Sequence, residues 1–205
     1  MILAGGYNKF EEDVFNRYNN DYPVTLGILI ADYRQSLAKE YILNYINVFH
    51  QKSNKYIDFF IPGYTASLGG IPTSMKDKNG NRYYFNDEIF DQFIKKLEIK
   101  FAQRFKYEFS PVLILVELTG NNFVDAKIII IDLEETRGGI KRTGVLFLEI
   151  FEIAKRCVKI EDFSTQLEKT YIKGTYADIL VDAIDSSILS ECYSQYKNIR
   201  RFQIK

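Results

Sequence analysis

Two short runs dominate the hydrophobic pattern. Pro111 to Leu118 (PVLILVEL) and Lys127 to Leu133 (KIIIIDL) are almost wholly Val, Ile and Leu. They are too short to span a membrane and too β-branched to favour helix, so they predict strands buried on both faces of a covered sheet. The connector between them carries Gly120-Asn121-Asn122 and is too short for a crossover helix, which predicts antiparallel neighbours. A third near-continuous run, Val24 to Ala31, predicts another central strand. Tyr56 to Ile61, closed by Pro62-Gly63, predicts a strand parallel to it, because a helix joins the two.

Helical spacing fills the intervals. Asn8 three residues before Glu11 reads as a capping box, with Phe10, Val14, Phe15 and Tyr18 on one stripe. Asp32 before Gln35 reads as an N-cap and N3 pair opening a helix to about His50, with Leu37, Tyr41, Tyr45 and Val48 inward and Ala38, Ile42, Ile46 and Phe49 widening the stripe. Asn79-Gly80 between Ser74-Met75-Lys76 and Arg82-Tyr83-Tyr84-Phe85 predicts a hairpin inserted after a long loop. Asn86 then caps a helix with Ile89, Phe93, Leu97 and Phe101 at helical spacing. Val145 to Cys157 predicts a helix covered on nearly every side, and Glu161 to Lys173 and Tyr176 to Leu189 predict two more. The basic end, Tyr196 to Lys205, is either a loose tail or an added strand.

With 205 residues and 46% hydrophobic positions, the chain fits one domain. Its parts are a helical extension over 1–22, a core over 24–157 with an insertion at 64–86, and a helical extension over 158–205. Lys+Arg 27 balances Asp+Glu 27, which argues against a main task of holding nucleic-acid phosphates or anionic lipid. Cys157 and Cys192 form no CxxC pair, and the lone His50 excludes a multi-histidine metal site. No apolar run reaches the about 20 residues of a membrane span, and residues 1–6 lack the basic start of a signal peptide, so a cytoplasmic location is expected.

The order strand, helix, strand, helix, strand, strand, helix, with a proline directly before the third strand, resembles the thioredoxin-like fold at the level of topology. The expected fold class is therefore α/β: a thioredoxin-like mixed sheet with helices on both faces, an inserted β-hairpin and extra C-terminal helices. The resemblance implies a cis Ser110–Pro111 bond facing the start of the first helix, and Asp32-Tyr33-Arg34-Gln35 where the family carries CxxC. It also implies a third strand parallel to the first, with the fourth antiparallel on the outside. No cysteine lies near Asp32, which puts disulfide exchange out of reach because that chemistry needs a thiolate.

Three places are candidates for function. At the end of the first core strand, Asp32, Tyr33 and Arg34 meet a helix start opposite Ser110 and Pro111; the dull reading is an Asp cap. The second is the loop Thr136 to Gly144, where Arg137, Gly138, Gly139, Lys141 and Arg142 suit a phosphate; it is not a Walker A loop, and a solvated turn is the plainer reading. The third is the acidic set Asp125, Asp132 and Glu134, able to hold a metal for phosphodiester hydrolysis and faintly similar to restriction-endonuclease-like nucleases. There Glu134 stands in place of that family's lysine.

The function expected from these residues is a non-redox binding or scaffold module without a cofactor and without a recognisable catalytic triad. Its partner would be another protein or a second copy, with no membrane and no nucleic acid. Aromatic anchors for that partner are expected at Tyr64, Tyr83 and Tyr84 of the insertion. The competing class is a phosphate-ligand (nucleotide) sensor or metal-dependent phosphodiesterase using 132–144. Arg34→Ala is expected to weaken binding of an acidic group while leaving stability nearly unchanged, and Asp32→Ala to cost the about 1 kcal/mol of a lost cap.

Overall fold

The structure, a computed structural model, describes residues 2–18, 23–40, 46, 57–66, 73–76, 80–101, 104–118, 123, 126–133, 143–156, 166 and 199–203. Its strands are Ile2–Ala4 (β1), Val24–Ile30 (β2), Asp58–Pro62 (β3), Tyr64–Thr65 (β4), Thr73–Lys76 (β5), Arg82–Phe85 (β6), Val112–Leu118 (β7), Lys127–Asp132 (β8) and Ile199–Gln203 (β9). Its helices are Tyr7–Arg17 (α1), Asp87–Lys100 (α2) and Thr143–Ala154 (α3). One mixed sheet has the order β1-β3-β2-β7-β8-β9, and a small antiparallel sheet has the order β4-β6-β5. No helix among the described residues is long and apolar enough to cross a membrane.

The β-branched runs do form the centre. Every residue of β7 is buried, and it pairs antiparallel with β8 from Val112↔Asp132 to Glu117↔Lys127. Helices cover both faces. Phe60, which pairs with Ile28, meets Phe10 of α1 edge-on at 4.9 Å between ring centroids. Phe59, one residue earlier and so on the opposite face, meets Phe147 and Phe151 of α3 at 5.6 and 5.2 Å. Each of these fully buried rings contributes roughly 1.5–3 kcal/mol of transfer free energy.

Two expectations drawn from the resemblance, a cis Ser110–Pro111 bond and a third strand parallel to the first, are not met. No cis peptide bond occurs among the described residues; the chain turns instead at Phe109, which has φ 63°. β7 runs antiparallel to β2, from Val24↔Leu118 to Ile30↔Val112. The connection explains the direction. Asn86, just before α2, donates its N–H to Gly63 O at the carboxyl edge of β3, whereas Phe101, just past the helix, packs on Phe123 in the β7–β8 connection at the other edge. An extended segment then returns along α2, with Tyr107 N–H donating to Glu98 Oε1 at 2.9 Å and the Tyr107 ring against Phe90. The chain therefore re-enters the sheet at the edge where α2 began. β3 is parallel to β2, as expected from its helical crossover. β8 is not outermost, because the basic C-terminal segment adds β9 beyond it. The mixed sheet remains compatible with a thioredoxin-like topology.

Local signals translate into structure unevenly. Asn86 caps α2, its Oδ1 accepting from Ile89 N–H at 2.9 Å, with Asp87 and Glu88 in the first turn. The Asn8–Glu11 capping box is not formed. α1 starts at Tyr7 behind Gly6 without a side-chain cap, and the two side chains instead bind α2, Asn8 accepting from Lys96 and Glu11 pairing with Lys100. Residues 2–4 add a strand to the main sheet, so the N-terminal segment is part of it. In the helix after β2, Ala38 and Ile46 are buried while Leu37 is exposed; Tyr41, Ile42, Tyr45, Val48 and Phe49 lie outside the described residues. Predicted helices over 161–173 and 176–189 lie outside the described residues, apart from helical Gln166.

Three buried phenols set an alkaline limit on this fold. Burial raises the pKa of Tyr7, Tyr18 and Tyr64, with the nearby carboxylates Glu11, Asp58 and Asp32 adding to it. Tyr18 donates its hydroxyl hydrogen to Asp58, and Tyr64 donates to Ala31 O at 2.9 Å. The folded chain holds these protons above the unfolded value of about 10, so their stabilisation is complete below that pH and is lost as pH rises past it. Phenolate absorbance and far-ultraviolet circular dichroism followed together should show a late ionising fraction that coincides with unfolding. Complete ionisation with the circular dichroism unchanged would contradict this.

Candidate functional site

Four segments meet at the carboxyl edge of β2. The Ile30↔Val112 and Val112↔Asp132 registers place Asp32, Ser110 and Asp132 at one end of the sheet. Ser110 Oγ lies 3.3–3.4 Å from both carboxylate oxygens of Asp132 and donates to them, and Pro111 O accepts from Leu133 N–H at 3.0 Å. α2 contributes Asp91 and Phe90, and the small sheet contributes Tyr64 and Phe85.

Asp32 is fully buried and Arg34 folds back onto it. Asp32 Oδ1 accepts from Arg34 N–H and Nε–H, both at 2.9 Å, while Oδ2 accepts from Nε–H at 3.0 Å and from an Nη2 hydrogen at 2.7 Å. The outer edge of the same guanidinium donates to Asp91, Nη2 to Oδ1 at 2.6 Å and Nη1 to Oδ2 at 3.2 Å. Both carboxylates raise the guanidinium's pKa, so it is permanently charged. Two carboxylates on one cation leave the cluster with a net negative charge. Arg34 is therefore no open cation, and Asp32 is no ordinary cap: its side chain takes Arg34 N–H, and the helix starts later, with Lys39 N–H bonding Gln35 O. The expectation that Arg34→Ala leaves stability nearly unchanged does not fit this geometry.

An aromatic row runs outward from the cluster. The Arg34 guanidinium lies 5.8 Å from the Phe90 ring centroid; Phe90 is 5.7 Å from Tyr107, and Tyr107 is 5.6 Å from Phe109. Phe90 is buried, whereas Phe109 is 64% exposed. Tyr33, half-buried, packs at 5.9 Å on Phe85, and Lys39 Nζ lies 4.7 Å from its ring centroid.

The insertion does not supply the expected anchors. Tyr64 and Tyr84 are buried and Tyr83 is partly so: Tyr64 lies in the core, 4.9 Å from Phe85 and bonded to Ala31, and Tyr83 packs against it. Arg137, Gly138, Gly139, Lys141 and Arg142 lie outside the described residues, as do Asp125 and Glu134. Among the described residues no group of three or more His, Cys, Asp or Glu is placed to hold a metal. Sequence reasoning missed both Asp91 and Phe109. Asp91 is legible only as a helix-surface acid, and nothing in Tyr107-Glu108-Phe109-Ser110 marks its second aromatic as exposed.

No family model, no curated protein and no solved structure matches the chain.

Proposed function

We propose that this protein is a thioredoxin-like, non-redox module that binds another protein through the carboxyl edge of its sheet, with Phe109 as the anchor. The observation that carries the reading is the conformation of Phe109, a large aromatic held at φ 63° and 64% exposed. For a residue with a Cβ that region costs about 1–2 kcal/mol, which the single ring contact with Tyr107 offsets only in part. Strain of this kind concentrates at binding sites, where the surrounding structure holds a side chain in position for something else. Aromatic residues, Phe among them, are enriched at protein interfaces. The mixed sheet order β3-β2-β7-β8 and the helix following β2 are compatible with a thioredoxin-like topology, and no cysteine stands at residues 32–35.

Phe109→Asn tests the reading. Asn tolerates positive φ, so relief of strain opposes the loss of about 0.5–1.5 kcal/mol of ring contact with Tyr107, and stability should change by less than about 1 kcal/mol. Partner retention should fall by about 2 kcal/mol or more, roughly 30-fold. The check is affinity capture from native extract with wild-type and Phe109→Asn baits in parallel, alongside light scattering for self-association. Wild-type chain that retains nothing specific, or retains the same proteins as the variant, sinks the proposal.

A further inference from the structure

Phe109 lies in a short span pinned at both ends. At the far end, Pro111 O accepts from Leu133 N–H at 3.0 Å, which seats the chain in the sheet at the start of β7. Pro111 also fixes its own φ and disfavours the helical region for Ser110, so the reversal from α2 into β7 falls on the residues before Ser110. At the near end, Phe105 is buried and packs on Phe101, just past α2. Two residues on, Tyr107 N–H donates to Glu98 Oε1 at 2.9 Å, and the Tyr107 ring meets Phe90 edge-on at 5.7 Å. Between the Glu98 contact and the Pro111 contact stand Glu108, Phe109 and Ser110. Phe109, at φ 63°, is where that span takes up the turn.

We infer that Glu98 is a positioning residue for the Phe109 anchor: by accepting Tyr107 N–H it holds the near end of the span and so keeps Phe109 in the left-handed conformation that presents its ring. This rests on the binding role proposed for Phe109 and names the residue that prepares it. The chemistry suits the task. A carboxylate accepting a backbone N–H makes a charge-assisted bond, roughly twice as strong as a neutral one. Glu98 is carried by α2, which Asn86 caps and which packs on the core through Phe90, Phe93, Ile94 and Leu97, so the clamp is tied to the fold and not to the loop it holds. Strained backbone persists only where its surroundings over-determine it. Here Glu98 supplies that constraint from one side and Pro111 from the other. Without Glu98, residue 109 is free to choose, and a residue with a Cβ takes positive φ in only a few per cent of cases. With the presenting conformation populated about a tenth of the time, apparent affinity for a partner of Phe109 falls about tenfold.

Three substitutions in the full-length chain separate reach from charge. Glu98→Asp keeps the charge and withdraws the oxygen by one methylene, Glu98→Ala removes both, and Glu98→Gln keeps an acceptor at the same reach without the charge. The backbone at Phe109 is read from nuclear Overhauser spectra, because the amide and α hydrogens of one residue lie closer at positive φ than at the usual negative φ. Partner retention is read by capture from serially diluted native extract. Glu98→Asp and Glu98→Ala should lose the strong amide-to-α signal at Phe109 and the signal between the Phe109 and Tyr107 rings, and should retain the partner about tenfold more weakly. Glu98→Gln should rescue both readouts, to within about twofold of wild type. Unchanged signals at Phe109 in Glu98→Asp and Glu98→Ala overturn the inference while leaving Phe109 docking intact. Retention at the wild-type level after those signals are lost also overturns it, as does Glu98→Gln behaving like Glu98→Ala. If Glu98→Ala does not fold, Glu98→Asp and Glu98→Gln decide, and loss of the fold in Glu98→Asp as well overturns the inference by assigning Glu98 to the fold and not to the anchor. A Phe109→Asn substitution that is silent in capture overturns the binding role itself, and this inference with it, whatever the spectra show.

Discussion

Arg34→Met should cost about 3 kcal/mol of folding stability at pH 7, the low end of the range for breaking a buried ion pair. The low end applies because the Arg34 side chain is 37% exposed while that of Asp32 is 1% exposed. The larger part of the loss comes from the residue left behind. Asp32 keeps only the backbone N–H of residue 34 and becomes a buried carboxylate without a counter-charge, so burial now pushes its pKa upward. A carboxyl whose folded pKa lies above its unfolded value binds its proton more tightly in the folded state. The variant is therefore penalised increasingly as pH rises through the carboxylate range and recovers as pH falls. Urea unfolding should show a smaller gap between variant and wild type near pH 4.5 than near pH 7. Asp32→Asn combined with Arg34→Met should be markedly less damaging than the sum of the two, because no buried charge remains. A loss equal at both pH values and additive in the double variant would mean that Arg34 contributes packing alone.

The central strands are legible in the sequence because their signal is local and redundant. Continuous Val, Ile and Leu over 112–118 and 127–132 admits little except a strand covered on both sides, and Asn86 followed by two acids admits little except a helix start. Strand direction is another matter. The resemblance assigns β7 the direction of β2, yet the direction depends on whether the chain doubles back after α2, which is decided by Tyr107 reaching Glu98 and Phe90 across sequence separations that periodicity does not report. The same limit governs the site. Asp32 and Arg34 are visible as a pair near a helix start, but their state depends on Asp91, 57 residues beyond Arg34. Tyr64 and Tyr84 resemble surface anchors because an insertion of Gly, Asn and Tyr reads as an outlying loop. Its central strand instead turns Phe85 into the core with Tyr83 packed against it, Tyr84 is buried on the opposite face, and Tyr64 of the neighbouring strand spans to the end of β2. Phe109 reads as loop because exposure and a positive φ are properties of its surroundings.

Gly63 joins these elements, and Gly63→Ala should cost about 3 kcal/mol. Its N–H donates to Ala4 O at 3.1 Å, tying it to the end of β1, and its carbonyl accepts from Asn86 N–H at 2.9 Å, tying it to the start of α2. Two independent penalties act there. The residue sits at φ 78°, where a Cβ costs about 1–2 kcal/mol. The added Cβ would also lie 2.8 Å from Phe90 Cβ and 3.0 Å from Phe85 Cε2, and overpacking of this kind costs about 1–3 kcal/mol. Gly80 provides the control, since it has φ 82° and a Cβ added there would meet no atom within 4 Å. Gly80→Ala should therefore show the backbone penalty alone, about 1 kcal/mol in urea unfolding. The crowding at Gly63 also reaches the binding edge, because Phe90 lies between the Arg34 guanidinium and Tyr107. Displacing that ring should shift the Tyr107 and Phe109 signals in spectra of Gly63→Ala, whereas Gly80→Ala leaves them in place. Equal stability losses in the two variants, with Phe109 undisturbed in both, would show that Phe90 yields without transmitting the strain.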